Sequence, residues 1–505
     1  MKKAILCAGF FVMTVLSGCQ KMLDINSTKT VGEQNFWQSY KDTRAALIGA
    51  YGLTRAALCD NTAHWMYGDL RMGDFKSVMR PDLGALIDNK LNASYPLFNT
   101  LSNWRRFYAV VNATTIFMEN AGVVRERDPK YSEQNYKVDM AQMRFLRAFA
   151  YFYMVRLWGD VPFTSSSHDG SFENKPREDQ HKILDFVEDE MVKAANDLPY
   201  NYSSGDPQQD GPYYNEDAGR WNSALVRKLA AYAVLAHVAA WKGNYANSAV
   251  YSKFVLDNYS KSGMYYEPDT YWISAPNGMF QGRKTNQIFA LNFLYEHVEA
   301  TFTGHIEELT LAEPIVRKAL PDIYVPRDSI LSIFNQYNDG RFYLDTITGQ
   351  PNYNDRWFAN FNSSIPIFCK IKVIQGGNSE PEFRQYSSCM VFTRLEDVQL
   401  MQAEAQAALG NTDEAIANLN NIKSLRKVEL FDPADGKDLV TEIFEERRRE
   451  LIGEGHRWYD LVRYNKIKQN NPAFMKMIKE GGIYWPVSQD IIAQNSLITQ
   501  NPYWK

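Results

Sequence analysis

Histidine and cysteine are scarce in this chain, which limits the metal or redox chemistry that it can carry. Its 505 residues include 7 histidines and 5 cysteines. Cys7 and Cys19 fall in the amino-terminal segment, and the remaining Cys59, Cys369 and Cys389 lack the spacing of a metal site or redox motif. An odd number of cysteines argues against a disulfide framework. We expect three buried thiols, with one bridge between Cys369 and Cys389 as the alternative.

Motifs that mark common enzyme classes are also missing. The sequence contains no Gly-x-Ser-x-Gly elbow, phosphate loop, dinucleotide fingerprint or His-Glu-x-x-His pair. His305, close to Glu307 and Glu308, is the nearest approach to a zinc site, and we expect it on the surface. The three aspartates of segment 432–438 could hold calcium, but they lack EF-hand spacing, so a plain turn is favoured. We therefore predict no catalytic residue, no cofactor and no metal.

The chain has no excess of positive charge. Its 55 lysines and arginines are balanced by 59 acidic residues, which gives a net charge of −4. No polybasic surface for nucleic acid or anionic lipid is indicated, so we expect no nucleic-acid partner.

The amino terminus has the pattern of an export signal. Two lysines precede an apolar run over residues 4–16, which is shorter than the roughly 20 residues that span a bilayer. The run leads into Leu-Ser-Gly-Cys, ending at Cys19, which resembles a lipoprotein box. We expect a signal peptide over 1–18, a diacylglycerol on the Cys19 thiol and a polar tether over 19–30. An ordinary signal peptide with a chance cysteine is the alternative.

Aromatic residues are abundant, at 14% of the chain, with 30 tyrosines and 11 tryptophans. Such a composition suits stacking on sugar rings or lining a groove. Ordinary packing between helices accounts for most of these side chains.

The stretch 439–464, LVTEIFEERRRELIGEGHRWYDLVRY, has the periodicity of an amphipathic helix with one buried face. Its polar side offers acid–base pairs one turn apart, such as Glu446 with Arg449. On an exposed surface each pair stabilises a helix by only about 0.2–0.5 kcal/mol. The glycines at 453 and 455 predict a turn before the helix resumes.

The order of residues in this stretch is more specific than its periodicity. EERRRELIGEGHRWYDLVRY resembles the hallmark stretch of the SusD/RagB family, the surface nutrient-binding lipoproteins of Bacteroidetes-type bacteria. RFLRAFAYFYMVRLWGDVPF, at 144–163, and the tail over 481–504 are similar to other stretches of that family. The resemblance covers essentially the whole mature chain. It implies that 439–464 is a structural helix in a ligand-binding protein and marks no catalytic site.

Two alanine-dense helix pairs, at 221–258 and 395–426, predict the architecture. In each, a Gly-Asn pair ends the first helix and a small residue, Ala249 or Ala415, follows within two turns, so the helices can pack closely. This pattern resembles tetratricopeptide repeats, with unrelated helix pairs as the alternative. We predict an all-α fold with four irregular tetratricopeptide-like pairs in one domain over 31–505. A large loop-rich insertion is expected at about 263–381.

Ligand-binding residues are expected on two segments that look like structured loops, 65–80 and the insertion. A glycan site needs exposed aromatic platforms and a few fixed donors and acceptors. Trp104 and Trp458 are assigned to the core because both fall on apolar helix faces. The candidate platforms are Trp65, Tyr67, Trp272, Tyr295 and Trp357, and the candidate hydrogen-bonding groups are Arg71, Asp74 and Arg80.

The resemblance implies a cell-surface lipoprotein of the outer membrane. Such a protein captures oligosaccharide and delivers it to a SusC-like TonB-dependent transporter. A peptide-binding member of the same family is the alternative. A glycoside hydrolase is less favoured, since two carboxylates on separate elements would suffice for one. A scaffold that binds only protein would explain the helices but not the aromatic insertion.

Overall fold

The structure is a computed structural model that describes residues 36–167, 174–209, 211–353, 355–375 and 385–505. The expected signal peptide, Cys19 and the tether lie outside these ranges. Within them, no helix is long and apolar enough to cross a membrane.

The described chain is mainly α-helical, as predicted. In chain order the helices are α1 (Tyr40–Cys59), α2 (Pro81–Ile87), α3 (Pro96–Leu101), α4 (Arg105–Arg127), α5 (Glu133–Trp158), α6 (Gln180–Asp197), α7 (Ala218–Trp221), α8 (Lys228–Lys242), α9 (Tyr245–Asn258), α10 (Thr270–Ser274), α11 (Ile306–Thr310), α12 (Arg327–Ile333), α13 (Leu395–Ala408), α14 (Thr412–Leu425), α15 (Leu439–Leu451), α16 (Arg457–Lys468), α17 (Pro472–Lys479) and α18 (Gln489–Gln494).

Short antiparallel strand pairs supply the small β content. The strands are β1 (Lys76–Ser77), β2 (Gln287–Leu291), β3 (Ile323–Tyr324), β4 (Tyr343–Leu344), β5 (Pro351–Asn352), β6 (Phe358–Ala359), β7 (Ile367–Phe368), β8 (Ile374–Gln375), β9 (Gln385–Tyr386) and β10 (Met390–Arg394). They pair as β1 with β3, β2 with β10, β4 with β5, β6 with β7, and β8 with β9.

Four helix pairs form the scaffold, which confirms the predicted architecture. The pairs are α1 with α4, α5 with α6, α8 with α9, and α13 with α14, and each packs against the next. Gly243 and Gly410 end the first helices of the last two pairs with φ of +78° and +82°, a conformation that glycine adopts without strain. Ala249 and Ala415 are buried between the paired helices, as expected.

The core runs through the scaffold and under the insertion. Helix α5 is buried on nearly all sides. Trp104 and Trp458 are buried, as their helical positions predict. Cys59, Cys369 and Cys389 are buried free thiols, so the alternative bridge between Cys369 and Cys389 is not formed.

The insertion is irregular and is fastened to the scaffold by strand pairing. Strand β2 pairs with β10, which leads directly into α13, and β3 pairs with β1. The predicted loop character of this region is therefore correct in outline. Its backbone is joined at β2 to the strand that leads into α13, and at β3 to residues 76–77.

Segment 65–80 differs from the loop that its two glycines predict. A helical turn, Ala63–Trp65, continues as a π-helix, Met66–Leu70, and both are buried. Gly68 is present because a Cβ there would lie 2.0 Å from the carbonyl oxygen of Gly455. The glycine thus permits two backbones to touch, and the segment packs beneath the turn that joins α15 to α16.

Gly455 provides a test of this close approach. Its φ is +82°, and an added Cβ would lie 2.1 Å from Nε2 of the buried His64. Gly410 has the same φ, but its Cβ would meet open space. Gly410→Ala should cost about 1–2 kcal/mol of backbone strain. Gly455→Ala should cost about 1–3 kcal/mol more, because a packed site is overfilled.

Urea unfolding of the two purified variants measures this difference. Equal losses of stability would show that the 453–455 turn can move away from His64, contrary to the packing described here.

Candidate functional site

A cluster of buried charges lies where α15 ends. Glu450 has no exposed surface and accepts hydrogen bonds from Arg394 at 2.8 Å, Arg426 at 2.7 Å and Arg341 at 3.2 Å. Glu454 accepts from Arg394 at 2.9 Å and Lys370 at 2.5 Å. The Glu450 cluster consists of Asp339, Arg341, Lys370, Arg394, Glu396, Arg426, Glu446, Glu450 and Glu454.

Glu446, Glu450 and Glu454 of this cluster have pKa values below their usual range, which favours their charged form. Burial alone would raise the pKa of Glu450, but the guanidinium groups of Arg426 and Arg394 outweigh it and keep that pKa well below its usual range. Burial likewise opposes Arg341 and Arg449 at Glu446, where the pKa falls to about 2. The polar side of α15 is thus not the solvated face that helical pairing alone suggests.

The Glu450 cluster holds the first of three arms of the insertion. The first arm, 265–272, is fixed where Arg426 donates to the Glu267 carbonyl at 2.6 Å. The Glu267 amide donates to Glu396 Oε1 at 3.0 Å. Two members of the cluster therefore fix the backbone of this arm.

The second arm, 337–343, contains cluster members itself. Arg341 binds Asp339 at 2.9 Å and Glu446 at 2.7 Å, and the Gly340 amide donates to the Arg426 carbonyl at 3.0 Å. The third arm is the segment that contains Arg356 and Trp357 and leads into strand β6. The Lys370 ammonium lies 4.3 Å from the centre of the buried Trp357 ring.

The three arms bring aromatic side chains together on the surface. Tyr271 and Trp272 have ring centroids 5.1 Å apart. Arg356 lies 5.6 Å from the Tyr271 ring centre and 4.0 Å from that of Tyr353. Tyr343 continues the series, with its centroid 6.0 Å from Tyr353 and 5.3 Å from Tyr337. The aromatic row is Trp272, Tyr271, Arg356, Tyr353, Tyr343 and Tyr337.

Trp272 is exposed but rigidly mounted. Its side chain is 45% exposed, and it lies on α10, which Asp269 caps by accepting from the Tyr271 amide at 2.9 Å. The Met279 amide donates to the Trp272 carbonyl at 2.8 Å. An exposed ring on a fixed backbone is ready to stack without a large ordering cost.

A cleft of about 350 Å³ opens beside Trp272, between the first arm and residues 277–286. Asn286 is buried there, and its side-chain oxygen has no hydrogen-bond partner within the described chain. Lys284 is half-buried and has no ion pair among the described residues. The Trp272 cleft is lined by Tyr265, Glu267, Trp272, Asn277, Gly278, Met279, Lys284 and Asn286. The cleft thus places an exposed aromatic ring beside polar side chains, of which Asn286 has a buried oxygen without a partner in the described part of the chain.

Four of the candidate residues are buried, so the expectation that they are exposed is wrong. Trp65 is 2% exposed and its Nε1 donates to the Gly453 carbonyl at 3.0 Å. The Tyr67 hydroxyl donates to the Leu101 carbonyl at 2.8 Å. Arg71 stacks on Trp458 at 4.0 Å. Trp357 is fully buried, one residue from Arg356 in the aromatic row. These side chains support the fold.

The remaining candidates lie at the surface or in ion pairs. Asp74 pairs with Arg448 at 2.5 Å, and Arg80 pairs with Asp82 at 2.5 Å. Trp272 and Tyr295 are exposed, as expected. Only Trp272 belongs to the aromatic row.

Most residues of the aromatic row were not among the ligand-binding residues predicted from the sequence. Tyr265, Tyr271, Tyr337, Tyr343, Tyr353 and Arg356 are the residues missed around the site. Their signal was the density of tyrosine in the insertion, which does not tell an exposed ring from a buried one.

His237, Asp397 and His456 form a buried group with the donor types of a metal site. Asp397 accepts from His237 at 2.8 Å and Thr393 at 2.7 Å, and its second oxygen lies 3.0 Å from Arg447. The Arg447 guanidinium thus supplies the positive charge that a cation would bring. The group is explained as a hydrogen-bonded carboxylate.

His305 is buried, so its expected place on the surface is wrong. Its Nδ1 lies 3.1 Å from the Ser388 hydroxyl, and Ser388 donates to Glu307 at 2.7 Å. Burial raises the pKa of Glu307 to about 7. In segment 432–438, Asp438 caps α15 by accepting from the Thr441 amide at 2.9 Å, and Asp432 caps a short helical turn.

Both the sequence and the fold of this chain are similar to those of known proteins. A family model described as the SusD family matches residues 200–504. SusD-like protein P38 of Formosa agariphila is 24% identical, over 97% of this chain and 96% of its own length. A SusD superfamily crystal structure from Bacteroides thetaiotaomicron is 47% identical, with a TM-score of 0.85, over 93% of this chain and 99% of that chain. B. fragilis NanU has the same fold at 17% identity, with a TM-score of 0.69 over 95% and 100% of the two chains.

A conservative substitution in the Glu450 cluster should strongly lower the stability of the fold. Glu450→Gln keeps the side-chain volume but leaves three guanidinium groups without their shared counter-charge. We expect a loss of about 3–5 kcal/mol in the free energy of unfolding. Asp189→Ala, which removes the exposed pair with Lys193, should leave stability nearly unchanged because solvent screens that pair. Urea unfolding measures both variants, and similar midpoints would contradict a central role for the cluster.

Proposed function

The chain belongs to the SusD family, and from that membership we propose that it captures oligosaccharide at the cell surface and delivers it to a SusC-like TonB-dependent outer-membrane transporter. Proteins of this family are associated with glycan binding and the cell envelope, and they are not catalytic. The oligosaccharide, the transporter and the surface location are the parts that we propose for this chain.

The aromatic row with its adjoining cleft is the observation that supports oligosaccharide. A sugar ring has a flat apolar face and a rim of hydroxyl groups, so it is held by a ring platform and by fixed polar groups beside it. Trp272 supplies the platform, and the cleft places Asn286 and Lys284 next to it. The row beyond Trp272 supplies further aromatic contacts for an oligosaccharide that extends past the cleft.

The two alternative functions, peptide binding and glycoside hydrolysis, fit the same surface less well. A peptide would use main-chain partners or a charged pocket, whereas the row offers a series of aromatic rings whose neighbouring centroids are 5.1 to 6.0 Å apart. A glycoside hydrolase needs two carboxyl groups on either side of the scissile bond. Glu267 is the one carboxylate among the residues that line the cleft.

The lipid anchor and the transporter partner complete the proposal. A signal peptide over 1–18, acylation at Cys19 and a tether over 19–30 would place the single domain, 31–505, at the outer membrane. A binding protein without chemistry of its own needs a route by which its ligand enters the cell. A tethered position beside a transporter provides that route.

Trp272→Ala tests the glycan site. Calorimetry with the oligosaccharide that the intact protein binds in a glycan screen should show an affinity loss of about tenfold or more, because truncated aromatic anchors typically cost over 1 kcal/mol. Phe302→Ala is the matched control, since Phe302 is 52% exposed but lies outside the row. Equal affinities for Trp272→Ala and the parent would place the site elsewhere.

Cys19→Ala tests the anchor and the partner together. Without the thiol, the chain should stay uncleaved or leave the detergent phase, and a large outer-membrane barrel should no longer co-purify with it. Unchanged partitioning into detergent would refute acylation at Cys19. Native purification of the parent without any such barrel would count against the transporter.

A further inference from the structure

Glu267 supplies the carboxylate of the Trp272 cleft, and its position there is fixed. The residue is 7% exposed and lines the cleft. Its backbone is held on both sides, because its carbonyl accepts from Arg426 at 2.6 Å and its amide donates to Glu396 at 3.0 Å. The carboxylate therefore lies at a defined point of the cleft wall.

The Glu267 carboxylate has hydrogen-bonding capacity left over. Its Oε1 accepts from the Asp269 amide at 3.3 Å. Its Oε2 is open to the cleft and has no hydrogen-bond partner or ion pair within the described chain. Burial raises the pKa of Glu267 above its usual range, because removal from water disfavours the charged form. A ligand that brings a hydrogen-bond donor to Oε2 would stabilise that charge.

Lys284 brings the opposite charge to the same cleft. Its side chain is half-buried, and it has no ion pair among the described residues, so it is not paired with Glu267. An ammonium group only donates hydrogen bonds, and a carboxylate only accepts them. The cleft therefore presents a donor and an acceptor of opposite charge that do not satisfy each other.

The hydroxyl groups of a sugar can serve both side chains. A hydroxyl donates to a carboxylate and accepts from an ammonium, so two neighbouring hydroxyls satisfy Glu267 and Lys284 together. The Trp272 ring, in the same cleft, is the platform for the apolar face of that sugar.

A charged sugar fits this pair less well. A carboxylate or sulfate on the ligand would gain from Lys284 but would face Glu267 in a cleft of about 350 Å³, and an amino sugar would meet the reverse. Arg356, the cation of the aromatic row, is paired with Asp269 at 3.8 Å. The row therefore adds no uncompensated positive charge from Arg356 that would recruit an acidic sugar.

We propose that Glu267 and Lys284 make the Trp272 cleft selective for an uncharged sugar unit with neighbouring hydroxyl groups, and that Glu267 is the specificity-determining residue. The inference rests on the proposed oligosaccharide function and names its substrate class. That class is neutral glycans, as opposed to glycans rich in uronate, sulfate or amino groups.

A panel of purified oligosaccharides, measured by calorimetry on the full mature chain, tests the proposal. Its neutral members are gluco-, manno-, xylo- and galacto-oligosaccharides. Its charged members are oligogalacturonides, sulfated galacto-oligosaccharides and chitosan oligosaccharides. We expect the tightest binding among the neutral members, and a charged member that binds more tightly than every neutral one would overturn the proposal.

Glu267→Gln keeps the side-chain volume and the bond to the Asp269 amide but removes the charge. It should bind the preferred neutral oligosaccharide about tenfold more weakly, because hydrogen bonds to a charged group are stronger than neutral ones. It should bind oligogalacturonide more tightly than the parent does, since Lys284 is then unopposed. A purely structural role for Glu267 would weaken both ligands alike, and that result would contradict the proposal.

Two further variants complete the comparison. Lys284→Gln should weaken the neutral ligand without strengthening oligogalacturonide, and it keeps the test decisive if urea unfolding shows that Glu267→Gln is not folded. Glu296→Gln, at an exposed glutamate of the insertion outside the cleft, is the matched control and should bind every member like the parent. Parent-like binding of the neutral ligand by both cleft variants would refute the inference.

Trp272→Ala separates a failure of this inference from a failure of the proposed function. If a charged oligosaccharide binds best and Trp272→Ala weakens it, the oligosaccharide site stands and the neutral selectivity is wrong. If no member of the panel binds the parent, the oligosaccharide function fails, and the selectivity fails with it.

Discussion

The carboxylate of Glu450 is the constraint on which the rest of the structure depends. A charge with no exposed surface is stable only when opposite charges surround it at hydrogen-bond distance. Its three guanidinium partners come from a loop of the insertion, the end of strand β10 and the end of helix α14. The insertion, the central strand pair and the last helix pair must therefore all be in place before Glu450 is satisfied. This requirement selects one arrangement of the irregular arms over the many that loops of that length allow.

The helical frame could be predicted from the sequence because its signals are local. Apolar spacing, the Gly-Asn stops and the alanine-dense pairs all act within one or two turns, and the structure has four helix pairs as expected. The close contact of Gly68 with Gly455 is not local, since it joins positions 387 residues apart. A glycine that admits a neighbouring backbone looks the same in the sequence as one that breaks a helix. For that reason segment 65–80 was expected to be a loop.

The candidate site was predictable only in part, for a related reason. Aromatic density in the insertion indicated where binding residues would collect, and Trp272 is exposed there. Trp357 comes from the same insertion and has the same composition around it, yet it is buried, with the Lys370 ammonium 4.3 Å from its ring centre. The contacts that bury Trp357, with Lys370 and Phe334, come from other segments of the insertion and are not visible in the residues around it. The predicted pair of Glu446 with Arg449 forms within α15 at 2.9 Å, whereas the partners of Glu450 lie outside its own helix and were not predicted.

In the three arms, the buried segments that contact the Glu450 cluster are separate from the exposed segments that carry the aromatic row. This separation has a consequence for how such proteins diversify. The Glu450 cluster fixes the arms at their buried segments, whereas the aromatic row lies on their exposed segments, where Arg356 and Asp269 form a further ion pair at 3.8 Å. Aromatic side chains on the exposed segments can be exchanged without disturbing the buried contacts. One helical frame can in this way present different ligand surfaces.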